Sequence, residues 1–120
     1  MAGATGGWGK APAGLVDRFT EAIAGVPGAT TRKMFGYPAG FANGYMFTGL
    51  FEDRWIIRLP PEAIIELEAL GGEPFSPMPG RPMRGYLAVP ESLVADADAI
   101  QPWLDRALAH VLAMPPKRGR

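Results

Sequence analysis

Apolar and polar positions change their period along the chain, and each change marks a new element. Leu15, Val16, Phe19, Ile23 and Val26 recur at helical steps with Asp17, Arg18 and Glu21 on the other side, which predicts an amphipathic helix stopped by Pro27 and Gly28. From Thr30 to Leu59 the helical period disappears. Thr30 to Phe35 is rich in β-formers, Gly36 to Gly40 punctuates it, and Asn43-Gly44 is the pair that tight hairpin turns favour. Tyr45 to Phe51 and Arg54 to Leu59 then read as adjacent antiparallel strands connected at Glu52 and Asp53. Simple alternation points Tyr45, Phe47 and Phe51 one way and Met46, Thr48 and Leu50 the other. In the next strand Trp55, Ile57 and Leu59 oppose Ile56 and Arg58, so both sides of the ribbon are largely apolar.

Pro60-Pro61-Glu62 starts a second helix, because a proline in the first turn gives up an N–H that has no intrahelical partner. Its stripe is Ala63, Ile64, Leu67 and Leu70, its wet side Glu66 and Glu68, and its stop Gly71-Gly72. Pro74 to Pro82 holds four prolines and predicts a rigid loop or irregular edge. Gly85 to Val89 reads as a last strand, Glu91 to Ala95 as a short helical turn. A C-terminal helix begins at Asp98, which forms a capping-box pattern with Gln101 and places Pro102 in the first turn. Ile100, Trp103, Leu104, Ala107, Leu108 and Val111 are its apolar stripe, and Pro115-Pro116 ends it.

The order, roughly α-β-β-β-α-β-β-α, places the chain in the α+β class: a two-layer sandwich with helices on one face of an antiparallel sheet. One helical layer hides one face. The second apolar face predicts a homodimer, with Tyr45, Phe47, Trp55 and Ile57 as the contact. Residues 1–14, dominated by Gly, Ala and Pro, predict a flexible lead-in to a single domain over residues 15–114, with a basic tail at 115–120.

Charge changes the picture only at the tail. Twelve basic groups balance twelve acidic ones, and three of the basic groups are Lys117, Arg118 and Arg120, which leaves nine against twelve in the body. No global field draws in nucleic acid or an acidic membrane. The first fourteen residues lack the basic and apolar regions of a secretory signal, and no apolar run is long enough to span a bilayer. A soluble, cytoplasmic protein is the expectation, and the absence of cysteine suits a reducing compartment.

Candidate chemistry is sparse. One histidine, His110, at the edge of the last helical stripe, and no cysteine are too few for a zinc site or a nucleophile-histidine pair. Gly9-Lys10 ends like a phosphate-binding loop, but Ala4 and Ala11 stand where that motif needs Gly and Ser or Thr. The acidic pairs Glu52/Asp53, Glu66/Glu68 and Asp96/Asp98 are explained by a turn, a solvated face and a helix start. No cofactor or metal is expected. Arg32, Lys33, Arg58, Arg81, Arg84 and Tyr86 form a candidate partner-binding set suited to phosphate or carboxylate groups, if the proline-rich loop folds over the sheet's end.

Arg32-Lys33-Met34-Phe35-Gly36, Gly49-Leu50-Phe51, Arg58-Leu59-Pro60 and the run Pro77-Met78-Pro79-Gly80-Arg81-Pro82-Met83 occur in the order seen in one family. The chain resembles the amino-terminal domain of the TfoX/Sxy regulators of bacterial competence from about Leu15 to Lys117. That resemblance implies a small α+β domain not known as an enzyme, from regulators that assist a cyclic-AMP receptor-type transcription activator. The full regulators carry a second, helical domain, so a stand-alone amino-terminal domain is expected here. The leading expectation is a non-enzymatic regulatory or protein-interaction domain, homodimeric and binding another protein such as a transcription activator. The alternative is direct nucleic-acid binding through the arginines and Lys33, and the third a small-ligand or enzymatic role in a pocket between the proline-rich loop and the sheet.

Overall fold

A computed structural model describes residues 12–34, 36–76, 80 and 83–116. Expectations for residues 1–11, Phe35, Pro77 to Pro79, Arg81, Pro82 and the tail residues Lys117, Arg118 and Arg120 fall outside that set. The elements are α1 (Ala13–Ala24), β1 (Thr30–Met34), β2 (Tyr37–Ala42), β3 (Tyr45–Phe51), β4 (Arg54–Arg58), α2 (Pro61–Ala69), β5 (Glu73–Pro74), β6 (Tyr86–Ala88), α3 (Glu91–Val94) and α4 (Ala97–Leu112). The strands form one six-stranded sheet ordered β1-β2-β3-β4-β6-β5, antiparallel at every pairing. This is the α+β architecture read from the sequence, with four strands in the first group.

The turn chemistry sets that order. Asn43 and Gly44 both have positive φ, 56° and 85°, in a two-residue loop between Ala42 and Tyr45. That is the backbone whose twist matches a tight hairpin. Gly36, at φ 83°, lies in the β1–β2 turn. Segment 37–40, expected as punctuation, is instead paired strand: Pro38 faces only Lys33 of β1 and falls outside the β2–β3 register, where a missing N–H costs little.

One face of the sheet is covered by helices. Phe19 and Ile23 of α1, Ala63 and Leu67 of α2, and Ile100, Leu104 and Val111 of α4 pack with Phe47, Leu50, Trp55 and Ile57 in a single apolar cluster. Phe19 meets Trp55 with ring centroids 5.2 Å apart. A buried polar pair locks this layer: Trp55 Nε1 donates to Thr48 Oγ1 at 2.9 Å, and Thr48 Oγ1 donates to the Ile56 carbonyl at 2.8 Å. Every polar atom of the pair is therefore satisfied inside the core.

Four details depart from the elements read above. Gly40 pairs with Thr48 but Phe41 with Met46, so Phe47 is an extra residue in β3. The bulge sends Phe47, Thr48 and Leu50 to the helical side and leaves Met46 and Phe51 on the other. The cap of α4 is Asp96, whose carboxylate accepts from the N–H groups of Asp98 and Ala99, so Pro102 lies beyond the first turn. Leu70, assigned to the α2 stripe, caps that helix and is 55% exposed. Helix α1 begins at Ala13, inside the segment expected as lead-in.

Candidate functional site

The expected dimer face is corrected by burial. Phe47 and Ile57 are fully buried and Trp55 is 2% exposed, all beneath the chain's own helices. Tyr45 is half-buried against the same cluster, its hydroxyl donating to the Pro115 carbonyl at 2.6 Å. The reason is α1 and α4, which cover the side richest in large apolar groups; the bulge adds Phe47 to that side.

Among the described residues, no helix lies over the opposite face. Above β4 and β6 it is closed by Phe75 and Met83, with Ile56 and Tyr86 buried against them. Phe51 and Phe75 meet edge to face at 5.3 Å. Toward β1 it opens: Met34, Met46 and Phe51 are half-buried around a floor of buried Ala39 and Gly49. Small floor residues let the neighbouring strands approach; a Cβ on Gly49 would lie 3.3 Å from that of Ala39. The space between the described part of the proline-rich loop and the sheet is about 20 Å³. That is room for a water molecule rather than a metabolite.

The basic candidates do not converge. Arg32 and Lys33 sit on β1, exposed; Arg32 stacks over the Phe41 ring at 4.1 Å, and neither forms an ion pair among the described residues. Arg58 lies three strands away, about 14 Å at ordinary strand spacing, half-buried between the Tyr45 and Tyr86 rings at 5.6 Å from each. Arg84 is exposed in the turn before β6, and Arg81 lies outside the described residues. Tyr86, expected on a binding surface, is 8% exposed and donates its hydroxyl to the Met46 carbonyl at 2.7 Å. Burial pushes its phenol above the ordinary range, partly offset by Arg58. Arg58 and Tyr86 do come together, but as cross-strand partners that brace the sheet's end.

His110, at the last turn of α4, is held below its usual pKa, first by burial and then by nearby Arg58, with Glu62 opposing. Arg106 clamps Glu66 through two bonds of 3.0 Å, which holds that carboxyl below its usual value and ties α4 to α2. A cleft of about 790 Å³ opens at the β3–β4 turn, lined by Glu52, Asp53, Glu73 and Glu91 together with Arg54, which pairs with Glu73 at 3.0 Å. Among the described residues no group of three carboxylates or imidazoles is arranged to hold a metal, and no helix is long and apolar enough to cross a membrane.

The TfoX N-terminal domain family model matches residues 21–111. The chain belongs to that family. The match runs from within α1 to the last turn of α4 and so takes in the whole sheet. No curated protein matches the chain. The feature of this TfoX N-terminal domain that sequence reading missed is the β1 edge with its adjoining Met34 and Met46. The signal was present in the polar run Thr30 to Lys33, all of it exposed, but masked by the more apolar hairpin that follows.

Proposed function

We propose that this TfoX N-terminal domain is a non-catalytic, cytoplasmic protein-interaction module of a transcription-regulating, competence-type system. The observation that supports the reading is the helix-free side of the sheet beside β1, where half-buried Met34 and Met46 border the exposed, cationic Arg32, with exposed Lys33 next in the same strand but on its other face. Methionine surfaces adapt to a partner's shape, and the arginine beside them, which has no ion pair among the described residues, supplies orientation. A homodimer built on Trp55 and Ile57 no longer has a free surface, so any self-association uses other residues.

The test compares proteins captured by the native chain with those captured by Met34→Asp, identified by quantitative mass spectrometry. The reading expects a transcription regulator held saturably by the wild type and lost by the variant, with the variant's circular dichroism unchanged. A partner set identical for both proteins, or none, contradicts it. Nucleic-acid binding is not favoured, because the candidate cations lie on separate strands rather than in one stripe.

A further inference from the structure

The two ends of the sheet differ. At one end β5 is two residues long and includes Pro74, which has no N–H to offer. At the other, β1 pairs with β2 through all five of its residues, contains neither proline nor bulge, and contributes no residue to either core cluster. Thr30, Thr31, Arg32 and Lys33 are all exposed. A strand with one paired edge presents a row of main-chain donors and acceptors on the other.

Charge selects among occupants of that edge. In a symmetric antiparallel pairing of two copies, Arg32 and Lys33 of one chain would lie beside the same cations of the other, which is repulsive. Carboxylates in the same places would be attracted. Arg32 is also pre-positioned, its guanidinium stacked on Phe41 at 4.1 Å, and neither cation has a carboxylate partner among the described residues. Arg32 and Met34 share the helix-free face, and Lys33 points to the other.

We propose that β1 takes up, as a seventh antiparallel strand, an extended acidic segment of a partner protein. This rests on the interaction-module reading above. The register states the motif: read from N- to C-terminus, an apolar residue beside Met34, then a carboxylate beside Lys33 and a second beside Arg32, continued by β-forming residues beside Thr31 and Thr30.

The probe is an acetylated, amidated peptide, Ser-Val-Leu-Glu-Glu-Val-Thr-Ser, titrated into the isotope-labelled full chain at low salt and followed by amide NMR. The expected result is saturable shifts at Thr30 to Met34, with main-chain contacts between peptide and β1. Binding weakens as salt rises, and about tenfold in the double variant Arg32→Glu, Lys33→Glu. The Trp55 indole signal reports that the variant is folded. The proposal is overturned by no shift up to about 1 mM peptide, by equal binding of a peptide with Lys in place of both Glu, or by undiminished binding to the charge-reversed variant. Concentration-dependent β1 shifts without peptide would also overturn it, in favour of a second copy. Each of these outcomes leaves the capture experiment with Met34→Asp free to succeed, so loss of the strand-addition idea is distinguishable from loss of the interaction reading.

Discussion

Replacing Thr48 by valine removes one hydroxyl and changes almost nothing in shape. In the native chain that hydroxyl accepts from Trp55 Nε1 at 2.9 Å and donates to the Ile56 carbonyl at 2.8 Å, with Thr48 fully buried and Trp55 2% exposed. Thr48→Val strands the indole N–H where no water reaches it, at a cost of about 1–3 kcal/mol. The Ile56 carbonyl loses a donor as well, so about 2 kcal/mol in total is the expectation. Thr48→Ser keeps both bonds and loses a methyl, worth about 0.8 kcal/mol by burial alone. Urea unfolding followed by far-ultraviolet circular dichroism measures these, since it does not depend on the tryptophan being varied. In the Trp55→Phe background the orphaned donor is gone, so the valine substitution should become cheaper by about 1 kcal/mol or more. A Thr48→Val protein within about 0.5 kcal/mol of wild type, with no coupling to Trp55→Phe, refutes the buried bond and with it the placement of Trp55 inside the chain.

Other substitutions probe the same frame. Asn43 donates to the carbonyls of Val111 and Met114 at 2.9 and 2.8 Å from a left-handed turn position, φ 56°. Asn43→Gly should cost about 1–2 kcal/mol for the lost bonds, Asn43→Ala about 1 kcal/mol more for the backbone, and Asn43→Asp should be worse at neutral pH than in acid, all by urea unfolding. His110 is harder to protonate folded than unfolded, so the unfolded chain takes up the extra proton. Its stabilising contribution is full above about pH 6.5 and declines as pH falls through the lowered folded value; His110→Gln should flatten that slope in unfolding free energy measured from pH 7.5 to 5. A Cβ on Gly72 would lie 2.9 Å from Leu67 Cγ and 3.0 Å from its carbonyl oxygen, so Gly72→Ala should lower stability by about 1–3 kcal/mol in the same assay.

The periods and turn residues carried most of the architecture. Helical spacing from Leu15 to Ile23 and from Ile100 to Val111 is realised in α1 and α4, though α1 stops at Gly25 and leaves Val26 beyond it, and Asn43-Gly44 turns the hairpin where its chemistry demands. What alternation could not show is the extra residue at Phe47. Nothing within Tyr45–Phe51 announces it; the clue lies across the sheet at Gly40, where a Cβ would meet Phe47 Cε1 at 3.3 Å and Thr48 Cγ2 at 3.1 Å. Glycine inside a strand often marks such a place. That slip puts Phe47 on the same side as Thr48 and Leu50, whereas Trp55 and Ile57, on the regular β4, are interior because α1 and α4 cover their side. The second apolar face was real, but Phe75 and Met83, from a segment whose prolines hide its contacts, cover its β4–β6 half. Asp96 and Asp98 compete for the α4 cap in the sequence, and only the backbone of Asp96, extended at φ −125°, decides it.

The claim on which the functional reading turns is that partners meet the β1 side of the sheet, away from the helices. Amide hydrogen exchange of the full chain, alone and saturated with a captured native partner, tests it directly. The account predicts new protection at Thr30 to Met34 and at Met46, with Phe47, Trp55 and Ile57 equally protected in both states. Unchanged exchange along β1, or protection gained instead on the exposed sides of α2 and α4, would contradict it.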